Sequence, residues 1–382
     1  MPSATPQLYQ YSHVPETKEE LDWADLTNID LSKYGTPEGN AELSRALIEA
    51  VRRKGFFYVT NFGISQQAVD RQFALGQAFY GLPLEEKLKY VPNLDAGEYN
   101  GYRPAGRRPL AGGVREKTEV WNMATNDGHI TQPLPDLLKE QLDEIETFAK
   151  VRPDYWNLSY PNILTLIGLA RQGPRPPQPP HRSRPRTPPD YFVNLHKWTT
   201  HDESHLRYMK YSKFSAKEIE ALEDGLWSHG HTDLGTLTLL FRQPVAGLQI
   251  RDYETESWKW AKPLDGSLTV NAGDAYSFLT GGYIKSTIHR VSVPPKDQRH
   301  VDRLGLLYFA RTQNDVALKT VDSPVLKREG FTQNEFEAGG HPTPTMGEFT
   351  RLKQTWQQKK GVSHEKHDGV EIVPGFAGKY FT

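Results

Sequence analysis

The chain has no cysteine among its 382 residues. That excludes a disulfide framework and any thiolate metal site. Long apolar runs are also missing, since no stretch approaches the roughly 18–20 apolar residues needed to span a bilayer. The opening MPSATPQLYQYSHVPETKEE has neither a basic start nor an apolar core, so no signal peptide is read from it. There is no excess of one charge: 46 Lys+Arg stand against 47 Asp+Glu. Nothing therefore points to nucleic acid or an anionic membrane. A glycine-rich phosphate loop and a Gly-x-Ser-x-Gly elbow are absent as well. The expectation is a soluble, cytoplasmic, globular protein, with its oligomeric state left open.

The length allows one large domain or two moderate ones. Residues 1–20 are polar and proline-punctuated and read as an extended arm. Within 21–150 an α/β pattern follows. Asn28–Leu31 is a short strand and Ala41–Arg53 an amphipathic helix with Leu43, Leu47, Ile48 and Val51 at helical spacing. Gly55–Asn61 is an aromatic strand, and Ser65 caps a helix to Tyr80. Pro83 starts a short helix, Asn93–Arg115 is a long loop, and Leu134–Lys150 a charged helix. Residues 151–190 contain eight prolines between Pro174 and Pro189. Proline at that density forbids helix, so the segment reads as an irregular insertion or a proline-rich docking segment.

From Tyr191 the pattern turns β. The candidate strands are His196–Thr200, Arg207–Tyr211, Thr236–Phe241, Gly247–Arg251, Trp258–Ala261, Leu268–Asn271, Ala275–Phe278, Thr287–Val293 and Leu304–Arg311. Short strands at about 8–12-residue spacing indicate a sandwich or barrel and not a parallel α/β sheet. The core spans 191–315. In 316–382 the chain returns to helix at Thr345–Gln358 and ends in a loop, Gly369–Thr382.

Ser228–Phe241, SHGHTDLGTLTLLF, sets His231 and Asp233 one residue apart at the edge of a strand. On extended backbone residues i and i+2 share a face, so the pair can present two metal ligands to one point; a polar loop pair is the alternative. His289, in STIHRVSV, is a third candidate or else a hydrogen-bonded barrel histidine. Two histidines and a carboxylate are the facial set of non-haem Fe(II). Arg303 heads RLGLLYFAR and shares a period-2 face with Gly305, Leu307 and Phe309. There it either clamps a carboxylate or keeps its head in water.

Taken in order, HTDLGTLTLLF, GLQI, NAGDAYSFLTGGYIKSTIHRV and RLGLLYFAR resemble the core of the iron(II)- and 2-oxoglutarate-dependent dioxygenases of the isopenicillin N synthase-like type. GFFYVTNFGIS and FYGLPLEEKLKY are similar to that family's N-terminal region, and the likeness covers about 20–125 and 190–315. The resemblance implies a double-stranded β-helix (jelly roll) barrel with a helical N-terminal region. It implies His231, Asp233 and His289 as iron ligands, and Arg303 with Tyr211 at the distal carboxylate of 2-oxoglutarate. It further implies a reaction in which Fe(II), 2-oxoglutarate and O2 yield succinate and CO2 while a C–H bond of a small, secondary-metabolite-like substrate is hydroxylated or desaturated. Ascorbate is a candidate reductant.

The chain departs from the family where Arg-x-Ser becomes Arg303-Leu304-Gly305, where Met209 replaces an asparagine, and where the proline-rich segment replaces part of a helix. These departures keep two alternatives in view: a 2-oxoglutarate-independent Fe(II) oxidase of the same fold, or a non-catalytic jelly-roll binding protein. Other pairs carry less. His201 and His205 have zinc-like spacing but lie among strand signals, and His364 and His367 sit in a polar tail. His229 shares the face of His231, and Arg103, Arg107 and Arg108 lie on the loop where an acidic substrate could approach.

Overall fold

The computed structural model describes residues 10–125, 129–149, 191–196, 202–222, 225–360 and 371–377. The proline-rich segment, the strand expected at His196–Thr200 beyond its first residue, His201, His364 and His367 lie outside the described residues. Among the described residues twelve strands build the core: β1 (Asn28–Asp30), β2 (Phe56–Thr60), β3 (Gly101–Arg103), β4 (Thr118–Ala124), β5 (His205–Tyr211), β6 (Leu226–His231), β7 (Leu237–Phe241), β8 (Leu248–Arg251), β9 (Trp258–Trp260), β10 (Ser267–Ala272), β11 (His289–Ser292) and β12 (Arg303–Ala310). They form an eight-stranded sheet, β1-β2-β10-β7-β12-β5-β4-β3, and a four-stranded sheet, β6-β11-β8-β9. Pairing is antiparallel except between β1 and β2. This is the expected jelly roll, with two facing sheets in place of a closed cylinder.

Strand alternation divides the large sheet's faces. Its outer face carries Leu206, Tyr208, Leu239, Phe241, Val270 and Leu306, all buried in the main hydrophobic cluster. Helix Gln66–Tyr80 covers that face: Tyr208 donates to Gln72 at 2.8 Å, and Tyr80 donates to the Tyr208 carbonyl at 2.7 Å. Ser65 caps this helix through the Ala68 amide, as its sequence indicates. The helix Pro37–Arg53 buries Leu43, Leu47 and Val51, starting four residues earlier than the apolar spacing because Thr36 caps it.

The inner face looks at the small sheet. Phe56 meets His289 edge-on at 5.4 Å, and Tyr211 stacks on Trp227 at 5.5 Å. Four rows cross this face: Arg303, Tyr211 and Thr118; Gly305, Met209 and Val120; Leu307, Arg207 and Asn122; Phe309, His205 and Ala124. The last row continues through Thr238, Asn271 and Phe56.

Several expectations are corrected. Ala275–Phe278 belongs to a helix, Asp274–Leu279, started by Gly273. A four-residue, mostly apolar stretch between turn signals cannot be assigned by periodicity. The helix expected over Leu134–Lys150 breaks into Asp136–Lys139 and Leu142–Ala149, because the Gln141 amide bonds Leu138 in a tight i→i−3 turn. The Asn93–Arg115 loop contributes β3, and the tail includes a hairpin of Glu371–Val373 and Phe376–Ala377. The helix Met346–Lys360 packs Phe349 on Phe278 and Phe376.

Candidate metal centre

His231 is the last residue of β6 and His289 the first of β11, and the two are directly paired across the strands. Their rings are 4.5 Å apart. Asp233 lies beyond the strand end, so a turn and not strand alternation brings it in, which corrects the i, i+2 argument. That turn is fixed by backbone bonds: Asp274 donates to the Asp233 carbonyl at 2.8 Å and Thr236 to Ala310 at 2.9 Å. At Gly235 a Cβ would stand 2.4 Å from the Ala310 carbonyl oxygen, so the approach requires glycine.

The ligand atoms of His231, Asp233 and His289 all lie within 4.8 Å of one another. Each histidine points Nδ1 at the carbonyl two residues before it, His229 at 3.0 Å and Thr287 at 3.1 Å. A carbonyl only accepts, so Nδ1 carries the proton and Nε2 turns its lone pair inward. Asp233 has Oδ2 held by Thr238 at 2.7 Å and Asn271 at 2.8 Å. Its Oδ1 faces His231 Nε2 at 3.9 Å and His289 Nε2 at 3.7 Å, too far for hydrogen bonds. Three lone-pair donors thus converge with no protein proton between them, a donor set that suits a divalent cation.

The electrostatics agree. Burial would raise the Asp233 pKa, but His289, His231, Asn271 and Thr238 together hold it below the ordinary carboxylate range. Burial, with His289 beside it, pushes the His231 imidazole down to about 3. His231 keeps 31% of its side chain open at the site mouth, so solvent softens that depression.

Arg303 is 3% exposed, which removes the reading with its head in water. Its Nε donates to the Val245 carbonyl at 3.2 Å, and its guanidinium lies 5.2 Å from the Tyr211 ring. Among the described residues it has no carboxylate partner. Gly305 sits one row closer to the metal cluster, where a Cβ would be 3.2 Å from Met209 Cβ and 3.3 Å from Leu307 Cδ1. His205 is buried with Nδ1 on the Glu203 carbonyl at 3.0 Å and is not among the three clustered ligands. His229 contributes its carbonyl to His231. Arg103 pairs with Glu116 at 3.2 Å, while Arg107 pairs loosely with Asp95 at 3.7 Å.

Residues not singled out from the sequence also shape the site. Asn271 and Thr238 orient Asp233, and the buried Lys353 donates to the Thr232 carbonyl at 3.0 Å and to Asp274. No motif marks them; strand register and a helix distant in sequence bring them in.

Comparison with known families is consistent with this geometry. Residues 26–141 match the N-terminal model of non-haem dioxygenases in morphine synthesis, and residues 205–312 match the 2OG-Fe(II) oxygenase superfamily. The chain belongs to the Fe(II)- and 2-oxoglutarate-dependent oxygenases, enzymes that use O2 and act on small molecules, and its N-terminal match fits the isopenicillin N synthase-like type. It is 27% identical over 325 residues to the 2-oxoglutarate-dependent dioxygenase gloE of Glarea lozoyensis, covering 84% of this chain and 89% of that one. It is likewise 27% identical to the 1-aminocyclopropane-1-carboxylate oxidase of Dictyostelium discoideum, covering 76% of this chain and 82% of that one. In fold it matches a full-length Neurospora crassa protein crystallised in complex with alpha-KG and thymine, with a TM-score of 0.71 at 19% identity over 88% of this chain and 100% of the other. No helix among the described residues is long and apolar enough to cross a membrane.

Proposed function

We propose that His231, Asp233 and His289 hold the Fe(II), that Arg303 with Tyr211 receives the distal carboxylate of 2-oxoglutarate, and that the product is a hydroxylated or desaturated small organic molecule of the secondary-metabolite kind. The observation that carries this reading is the pair of Nε2 atoms and one Oδ1 turned toward one point with their other atoms already bonded. When bound, iron with 2-oxoglutarate and O2 supplies the oxidising power. The chain's own residues do the rest. Thr238 and Asn271 fix the carboxylate's orientation. The carbonyls of His229 and Thr287 fix the imidazole tautomers. Arg303 offers a fork of donors four residues along the strand from Leu307, reaching the cosubstrate from the far end of the same face.

A 2-oxoglutarate-independent oxidase would leave Arg303 buried without an anion, a costly arrangement that the Val245 carbonyl and the Tyr211 ring offset only in part, since no described carboxylate reaches it. We place the catalytic core at 191–315, with 21–150 packing on it by adding β1–β4 to the large sheet and laying the helix Gln66–Tyr80 on its outer face, in a cytoplasmic protein consistent with the cysteine-free composition. The test is anaerobic addition of Fe(II) and 2-oxoglutarate, watched for the metal-to-ligand charge-transfer band. Oxygen is then admitted and succinate measured. Both signals are expected, and His231→Ala should abolish both. A wild-type protein with neither signal, or a variant that retains either, would overturn the assignment.

A further inference from the structure

Arg207 projects from β5 onto the inner face, in the row between the Phe309 row beside the metal cluster and the Gly305 row. Its Nε donates to Asn122 Oδ1 at 2.7 Å. Its Nη2 lies 3.4 Å from His205 Nε2, which accepts because Nδ1 of that ring is already committed to the Glu203 carbonyl. The guanidinium carbon sits 4.3 Å over the Phe309 ring. These contacts leave the Nη1 hydrogens and one Nη2 hydrogen unused, the edge that grips a carboxylate with two parallel bonds.

The charges around it are unbalanced. Arg103 has Glu116 at 3.2 Å and Arg311 has Glu203 at 3.0 Å, whereas Arg207 forms no ion pair among the described residues. Burial, then neighbouring Arg103, pull its pKa down to about 10, so it remains charged at neutral pH. The carboxylate whose charge acts on it is Asp233, whose free oxygen faces the two imidazoles. Once a cation occupies that cluster, no described residue offers Arg207 a negative partner.

Resting on the metal assignment above, we propose that Arg207 anchors a carboxylate of the substrate, and that the enzyme takes small organic acids whose apolar body lies along Leu307 and Phe309. An arginine with a surplus fork in a partly closed apolar site binds an acid in preference to its neutral isostere, because only the acid neutralises the charge.

The experiment uses the full-length Fe(II)-loaded chain with 2-oxoglutarate under anaerobic conditions. Isothermal titration calorimetry and the shift of the charge-transfer band compare phenylacetate with phenylacetamide and hexanoate with hexanamide. In the wild type each acid should bind about 10- to 100-fold more tightly than its amide. Arg207→Gln should erase that preference, Arg207→Lys should keep part of it, and 2-oxoglutarate affinity should stay within about twofold in both. The proposal is overturned if no acid binds, if acid and amide bind alike, if Arg207→Gln keeps the preference, or if it weakens 2-oxoglutarate instead. Failure of the metal assignment registers separately, as no charge-transfer band in the wild type. Calorimetry of the acids with the metal-free chain then still reports on Arg207.

Discussion

Lys353→Met separates support of the metal centre from simple packing. Lys353 lies on the helix Met346–Lys360 and is 3% exposed, as is Asp274, to which it is ion-paired. Asp274 also accepts from Ser286 at 2.6 Å and Thr232 at 3.2 Å. Thr232 stands between two of the proposed ligands and Ser286 three residues before the third, so the one pair ties both ligand segments to the C-terminal helix. Methionine matches the lysine stem but leaves the carboxylate buried without its cation. Removing one partner of a buried pair costs about 3–5 kcal/mol. Two hydroxyls remain on Asp274, so the lower end, about 3 kcal/mol, is expected in urea unfolding. The double variant Lys353→Met with Asp274→Asn should recover part of that loss, since no charge is then stranded. If the network also orients the ligands, Co(II) affinity of the folded single variant should fall about 10- to 100-fold, as for other residues that orient metal ligands. A stability loss below about 1 kcal/mol with unchanged Co(II) affinity would refute both parts of the reasoning.

Gly305→Ser alone should help 2-oxoglutarate little, because the new Cβ meets Met209 and Leu307 at 3.2 and 3.3 Å. Combined with Met209→Asn it should tighten the 2-oxoglutarate Kd about tenfold, read from the charge-transfer titration; a double variant no tighter than wild type would remove Gly305 and Met209 as the reason for any weak cosubstrate binding. Acid should also weaken the fold through the half-buried His196 and the buried His205. Burial lowers His196 to about 4 and takes His205 well below its ordinary value. Unfolded, both titrate near 6.5, so the unfolded chain holds the extra protons below that pH. Stability should therefore be full above about pH 6.5 and fall toward pH 4, by up to about 1.4 kcal/mol per pH unit for each ring. His196→Gln should remove up to one ring's share of that slope in urea titrations across the window, and an unchanged slope would refute the assignment.

The elements legible in the sequence are those whose pattern has a single structural solution. Leu43, Leu47 and Val51 can share only a helix face, and the short strands from β5 to β12 could only make a sandwich or barrel. The pattern fails where a run is short. Ala275–Phe278 is apolar enough for either state, and Gly273 ahead of Asp274 decides for helix. It fails too at Gln141, where an otherwise continuous amphipathic stretch is re-aimed by one backbone bond.

The candidate site divides along a different line. His231, Asp233, His289 and Arg303 stand out in the sequence as candidates because chemistry limits which side chains can hold a metal or a carboxylate and the motifs keep them in order. Asn271, Thr238 and Lys353 were invisible because their roles come from what lies opposite them, which is fixed by register across strands and by a helix some eighty residues after Asp274. Arg207 shows the same limit most clearly. In the sequence it is one of 46 basic residues, and it sits in the same strand as Tyr211. Its neighbours in sequence, Leu206 and Tyr208, point into the apolar outer core. Only the pairing of Arg207 with Asn122 on one side and Leu307 on the other turns it onto the inner face, in the same sheet as Arg303 but two rows nearer the metal cluster. Among the described residues one sheet face thus presents two guanidiniums without carboxylate partners, and their separation along the strands suits the proposal that each takes a different acid.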